Sequence, residues 1–221
     1  MAERLSRIIN AAKWPLAVLS PLLLPFAIIQ ILASGLLPSL FMEGHWWILL
    51  GEAFYLLLWR LAFRHQFTGS WFSTLEHEVT HAVFAWLTLH RVHGIKTSWN
   101  DGGWCRISGP GNWLITISPY FFPTLLLIPA VLNLFLLDEV ILFMVGVLFA
   151  YHITSTIRET HLAQTDLKET GYLFAALFLP TANVMVHGTS LLYFTKGPDA
   201  AIEYVNQTWS TMLDWLIGVI S

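Results

Sequence analysis

Long apolar runs dominate this chain and limit what it can fold into. Six of them, each on the order of 20 residues, follow one another at 14–42, 46–63, 71–90, 113–137, 140–157 and 167–193. A segment of that length sits in hydrocarbon only if its backbone groups are hydrogen-bonded internally, and an α-helix is the simplest way to achieve that. Charged residues make up 11% of the 221, against about 25% in a soluble globular domain. Length alone would suggest one or two soluble domains, and the hydrophobic content replaces them with a single bundle of membrane helices. We therefore expect an all-α polytopic membrane protein with five or six transmembrane helices, forming one domain over 1–221. Residues 200–220 mix apolar and polar side chains and are expected to lie along the interface or dock on the bundle.

The net charge of −3 comes without any basic run, which argues against a nucleic-acid partner. Cys105 is the only cysteine, so an intrachain disulfide and a thiolate cluster are both excluded. Any metal must be held by histidines and carboxylates. Arg4, Arg7 and Lys13 precede the first apolar run, which is too long for a signal peptide and lacks a small-residue cleavage site, so it is read as retained. Pro15, Pro21, Pro25, Pro38 and Gly35 interrupt that run, and prolines kink or break helices. With a kinked single span as the alternative, it is expected to be a re-entrant hairpin that leaves the membrane on the side it entered. Arg4, Arg7, Lys13, Arg91, Lys96, Arg106, Arg158 and Lys168 would then share a side, eight of the 11 basic residues, which the positive-inside rule assigns to the cytoplasm. Trp46, Trp47, Trp71, Trp99, Trp104 and Trp113 fall near the ends of the runs, as an interfacial aromatic belt requires. Between the third and fourth runs, two strand-like segments (94–99 and 104–107) flank Asn100-Asp101-Gly102-Gly103 and predict a small β-hairpin.

The chemistry sits in the third run. His77 and His81 are four residues apart, which places both imidazoles on one face of a helix, one turn apart. Two ring nitrogens so placed reach one tetrahedral zinc, and Glu78 beside them can take a proton from a metal-bound water. With nine His in the chain, random order would give about 0.015 such motifs, so composition does not account for it. Glu76, His77, Glu78 and His81 all lie in one apolar segment, where a charged group costs roughly 2.5–3.5 kcal/mol on insertion scales. An interhelical polar network is the plainer explanation of buried polar residues, but it does not require this spacing.

A zinc enzyme needs three protein ligands and one open position. Glu159, His161 and Asp166 all carry suitable donor atoms, and chemistry alone does not rank them. His152 lies about 9 Å from the end of its helix at Arg158, and is a candidate to support a ligand from behind or to bind an oxyanion, with a helix-packing histidine as the equal alternative. Glu52 is expected to pair with Arg60 or face a cavity. Asn183 lies about 25 Å along a helix from Asp166, too far for a direct part in the chemistry. His45, His65 and His93 are read as solvated interfacial residues.

Taken together, the His77–His81 motif in a membrane helix, the Gly-rich strand region, Ser118-Pro119-Tyr120-Phe121-Phe122-Pro123, and Gln164-Thr165-Asp166-Leu167 with Gly171 resemble the site-two protease family of intramembrane zinc metallopeptidases, in its short, PDZ-less form. The resemblance covers roughly 71–185 and implies a metallopeptidase core over 71–194. It implies that His77, His81 and Asp166 bind zinc and that Glu78 is the general base. Two positions depart from the family pattern: Thr80 stands where Gly is common, and Gln164-Thr165-Asp166-Leu167 replaces an N-P-D-G type signature. The implied function is zinc-dependent endopeptidase activity on a membrane-protein substrate, within or near the lipid bilayer. The protein is expected to be integral and multi-pass, in a bacterial-type cytoplasmic membrane. The same ligands would serve a zinc hydrolase acting on a lipid or prenylated substrate, or a non-enzymatic membrane metal-binding protein. Nothing in the sequence sets the oligomeric state.

Overall fold

The computed structural model describes residues 1–42, 44–63, 66–98, 102–133 and 138–221. His65 and the hairpin-turn residues Trp99, Asn100 and Asp101 lie outside the described residues. Among the described residues the regular structure is helical apart from one two-stranded sheet, as the sequence predicts.

Helix α1 (Ala2–Ala33) runs unbroken for 32 residues, about 48 Å, straight through Pro15, Pro21 and Pro25. The re-entrant hairpin expected over 14–42 is therefore not formed. The chain breaks only at Ser34–Gly35, where Gly35 takes φ 70°, and a short helix α2 (Leu36–Met42) follows. Prolines are tolerated in a membrane helix when neighbouring helices cover the disturbed backbone. Here α9 (Tyr172–Lys196) provides that cover, lying parallel to α1 along most of its length. Trp14 meets Phe174 edge to face, the Thr181 hydroxyl donates to the Ser20 carbonyl at 2.7 Å, and Lys196 Nζ donates to the Ser34 carbonyl at 2.7 Å.

Helix α3 (Trp46–Leu58) continues into a π-helical turn (Trp59–Phe63) and packs against α7 (Asp138–Glu159). Their backbones touch through two glycines. A Cβ on Gly51 would strike the Phe143 carbonyl, and one on Gly146 would strike the Ile48 carbonyl. Small residues at helix crossings in membranes allow this approach, and the close packing holds the pair together. Glu52 and Arg60 form no ion pair on this helix.

Helix α4 (Gln66–Leu87) carries the histidine motif and delivers the chain to β1 (Val92–Thr97) and β2 (Gly103–Ile107), paired antiparallel with a bulge between Val92 and Gly94. A bent passage follows, α5 (Trp113–Ile117), a 3₁₀ turn at Ser118–Tyr120, and α6 (Leu127–Leu132). After α7 come α8 (Thr165–Thr170), α9 and α10 (Pro198–Ile220). Tyr204, Thr211 and Trp215 of α10 all reach the Phe26–Gln30 turn of α1, so α10 lies across α1 and docks on it.

The start of α1 meets the segments that flank the hairpin. Ser6 Oγ is 2.8 Å from His90 Nε2, and the Trp113 indole N–H donates to the Ile9 carbonyl at 2.6 Å. Arg4, Arg7 and Lys13 thus lie at the end of the bundle that carries the hairpin and α8, although α1 does not double back. Among the described residues, α1, α7 and α9 are long and apolar enough to cross a membrane, and the pair Trp113–Tyr120 and Thr124–Leu132, bent by 78°, makes a fourth if it is one broken span. That count is below the number of apolar runs because α3 has only 13 residues before its π turn and α4 spends its middle on the polar motif.

Gly146→Val should overpack the α3–α7 contact against backbone that cannot move aside. We expect a loss of about 1–3 kcal/mol, measured as a lower midpoint of thermal unfolding in detergent. A conservative change on the exposed side of α7, Ile157→Val, should leave the midpoint unchanged.

Candidate metal centre

Helical spacing puts His77 and His81 on the same face of α4, with their rings 4.7 Å apart. Each ring is held by its Nδ1 atom. His81 Nδ1 donates to the Ile115 carbonyl of α5 at 2.7 Å, and His77 Nδ1 donates to Glu159 Oε2 at the end of α7 at 2.8 Å. Both Nε2 atoms therefore turn the same way. They meet Asp166 Oδ2 of α8, at 2.8 Å from His77 and 3.4 Å from His81. These three residues offer ligand atoms that all lie within 4.8 Å of one another. Ligand atoms around one tetrahedral zinc stand about 3.3 Å apart. The His81–Asp166 distance matches that, and the His77–Asp166 distance is somewhat shorter. Two imidazoles and a carboxylate, with the imidazole N–H groups already committed elsewhere, form the donor set that zinc takes.

Asp166 reaches this point because Gly171, at φ 91°, separates α8 from α9. Leu167 anchors α8 in the buried cluster with Trp113, Ile115 and Ile117. The Tyr120 hydroxyl donates to Asp166 Oδ2 at 3.3 Å, and its ring packs edge-on against His77. Asn183 acts one step further back, its amide donating to the Tyr120 carbonyl at 3.0 Å. Measuring from Asp166 to Asn183 along one straight helix fails because the chain turns at Gly171. Tyr120 stands in the Ser118–Pro123 stretch already noted, but nothing in that stretch signals contact with His77.

The other candidates are placed as follows. Glu159 occupies the far nitrogen of His77, and Ser73 donates a hydrogen bond to it. His161 borders the cavity beside the centre, with its Nδ1 accepting from the Ala163 amide. His152 is only 2% exposed and lies outside that cavity. Its Nδ1 stands 3.6 Å from Glu76 Oε1 and its Nε2 is 3.5 Å from the Thr156 hydroxyl. Depth along α7 puts His152 within range, but the rotation of the helix aims it at Glu76, on a different side of α4 from His77. Thr80 is buried, with its hydroxyl bonded to the Glu76 carbonyl at 2.9 Å and to Thr124 Oγ1 at 2.6 Å. That face of α4 packs through a hydroxyl pair.

The centre opens into a cavity of about 700 Å³, bounded by α4, β2, the end of α7 and α8. Glu78 lines it, as do Trp104 and Cys105 of β2. Gly103 lets the strand lie on Glu78, since a Cβ there would come within 2.7 Å of both Glu78 Cγ and Thr74 Cγ2. Burial, with the Glu78 charge behind it, pushes the Cys105 thiol up to about 11, so it stays protonated at neutral pH and offers no thiolate.

A family model described as Peptidase M50B-like matches residues 47–195. No curated protein and no solved structure gives a match.

Alanine at His77, His81 or Asp166 should cut the zinc content of the purified protein by ~10-fold or more, read by elemental analysis. His161→Ala should leave it unchanged. Full occupancy in Asp166→Ala would transfer the third ligand to His161 or Glu159.

Proposed function

The chain belongs to the Peptidase M50B-like family, and we propose that it is a zinc-dependent endopeptidase hydrolysing a peptide bond of a membrane protein within or near the bilayer. The observation that carries this reading is the convergence of His77, His81 and Asp166 on one point, with Glu78 lining the same cavity. Apolar helices of spanning length in α1, α7 and α9 support an integral membrane setting. The gathering of Arg4, Arg7 and Lys13 with the hairpin end supports a cytoplasmic position for the cavity mouth.

Zinc held by His77, His81 and Asp166 would supply Lewis acidity at the scissile carbonyl and bring the pKa of a water towards ~7. Glu78 does the proton work. Its carboxylate takes the proton of the attacking water and returns it to the departing amine, so the amine leaves neutral. The Nδ1 bonds to Glu159 and the Ile115 carbonyl keep both imidazoles from rotating during this exchange. Tyr120 and its anchor Asn183 hold Asp166 in place.

A substrate helix hides its carbonyls in its own hydrogen bonds, so the segment to be cut must first be extended. Strand β2 borders the cavity along Gly103, Trp104, Cys105 and Ile107, whereas β1 does not. The outer edge of β2 therefore suits pairing with an extended substrate, which supplies backbone hydrogen bonds without demanding a particular sequence.

The test is Glu78→Gln on purified protein, with a membrane-spanning peptide in detergent as substrate. We expect zinc to be retained and turnover to fall ~10²–10⁴-fold. A variant that cleaves at the wild-type rate overturns the reading. Gly103→Val should also lower turnover with zinc retained, because the added side chain forces β2 away from Glu78.

A further inference from the structure

Helices α4 and α7 face each other near the metal centre through two polar pairs of matching spacing. Ser73 and His77 are one turn apart on α4, and Ser155 and Glu159 are one turn apart on α7. Across the gap the Ser155 hydroxyl donates to Ser73 Oγ at 3.1 Å, and Ser73 donates in turn to Glu159. Glu159 then accepts from His77 Nδ1 at 2.8 Å. This chain ends on the one nitrogen of His77 that points away from Asp166. Glu159 uses one oxygen for Ser73 and the other for His77, so each carboxylate oxygen already has a partner.

We propose that Glu159 is a positioning residue that fixes the tautomer and rotation of His77, so that Nε2 is the nitrogen presented for metal binding. This rests on the zinc reading above and gives a definite part to a carboxylate that donor chemistry alone ranks level with Asp166. An imidazole whose Nδ1–H is held by a carboxylate presents a fixed, more basic Nε2 lone pair. His81 meets the same need with a neutral acceptor, the Ile115 carbonyl. The two ligating histidines are thus supported differently. The negative charge of Glu159 makes His77 the stronger donor of the two. Placing the acceptor on the last residue of α7 also means that docking of α7 on α4 completes the site. The serines set the distance at which it does so.

The experiment compares wild type, Glu159→Gln, Glu159→Ala and Ser73→Ala by zinc competition with a chelator, together with imidazole N–H spectra of histidine-labelled, zinc-loaded protein. Glu159→Ala should weaken zinc binding ~10–100-fold and abolish the hydrogen-bonded Nδ1–H resonance of His77, while that of His81 persists. Glu159→Gln keeps an acceptor oxygen but not the charge, so its affinity should fall between wild type and Glu159→Ala. Ser73→Ala frees one oxygen of Glu159 and should weaken binding by less than Glu159→Ala. If the alanine variant does not fold, the Gln and Ser73 variants carry the test, and wild-type affinity in both overturns the role. Wild-type affinity with both resonances intact in Glu159→Ala overturns it as well. A wild-type protein that holds no zinc overturns the metal reading itself, and this role with it.

Discussion

The hydrogen bonds made by two Nδ1 atoms organise the centre of this molecule. An imidazole on an apolar helix has two polar atoms to satisfy, and leaving one unpaired in a buried setting costs roughly 1–3 kcal/mol. His77 and His81 satisfy the first by reaching opposite neighbours, Glu159 of α7 and Ile115 of α5. With those bonds made, the remaining nitrogens have only one direction left, and both aim at Asp166. Three separate elements must therefore be in register with α4 before the motif has its geometry. The tight α3–α7 crossing at Gly51 and Gly146 belongs to the same requirement, because it positions the helix that ends in Glu159.

The surroundings of the centre divide the labour by polarity. Aromatic residues, among them Trp113, Phe121, Phe174 and Phe178, fill the space between α5, the 3₁₀ turn and α9. The opposite side is lined by the hairpin, the end of α7 and α8, and it is polar and open. A carboxylate such as Glu78 sits at this boundary, buried enough to be sensitive to its neighbours and still in contact with the cavity. The close approach of Gly103 makes the strand part of its immediate environment.

Much of this was legible in the chain because it depends on local spacing. The i, i+4 histidines, the single cysteine and the strand–turn–strand pattern at 94–107 each constrain their own neighbourhood, and the observed strands Val92–Thr97 and Gly103–Ile107 lie within a few residues of that pattern. What was not legible depends on the rotation or coverage of one element by another. Pro15, Pro21 and Pro25 read as breaks because their local cost is visible, whereas the compensating contact with α9 comes from residues some 160 positions away. The depth of His152 follows from counting residues, but the side of α7 it occupies does not, and that side faces Glu76. Tyr120 shows no periodic signal at all. It reaches Asp166 and His77 only because a 3₁₀ turn follows α5 and Asn183 holds its carbonyl.

Gly171 has a consequence for how the protein lives in lipid. Spanning helices tilt to match their hydrophobic length to the thickness of the bilayer around them. If α8 and α9 were one continuous rod, each degree of tilt in α9 would swing Asp166 relative to α4. The glycine at φ 91° interrupts that lever, and Leu167 seats α8 in the cluster where α5 and α9 meet. The carboxylate takes its place beside the two imidazoles from α5 and from one point of α9, the Asn183 amide that holds Tyr120, so the direction of α8 is set apart from the axis of α9.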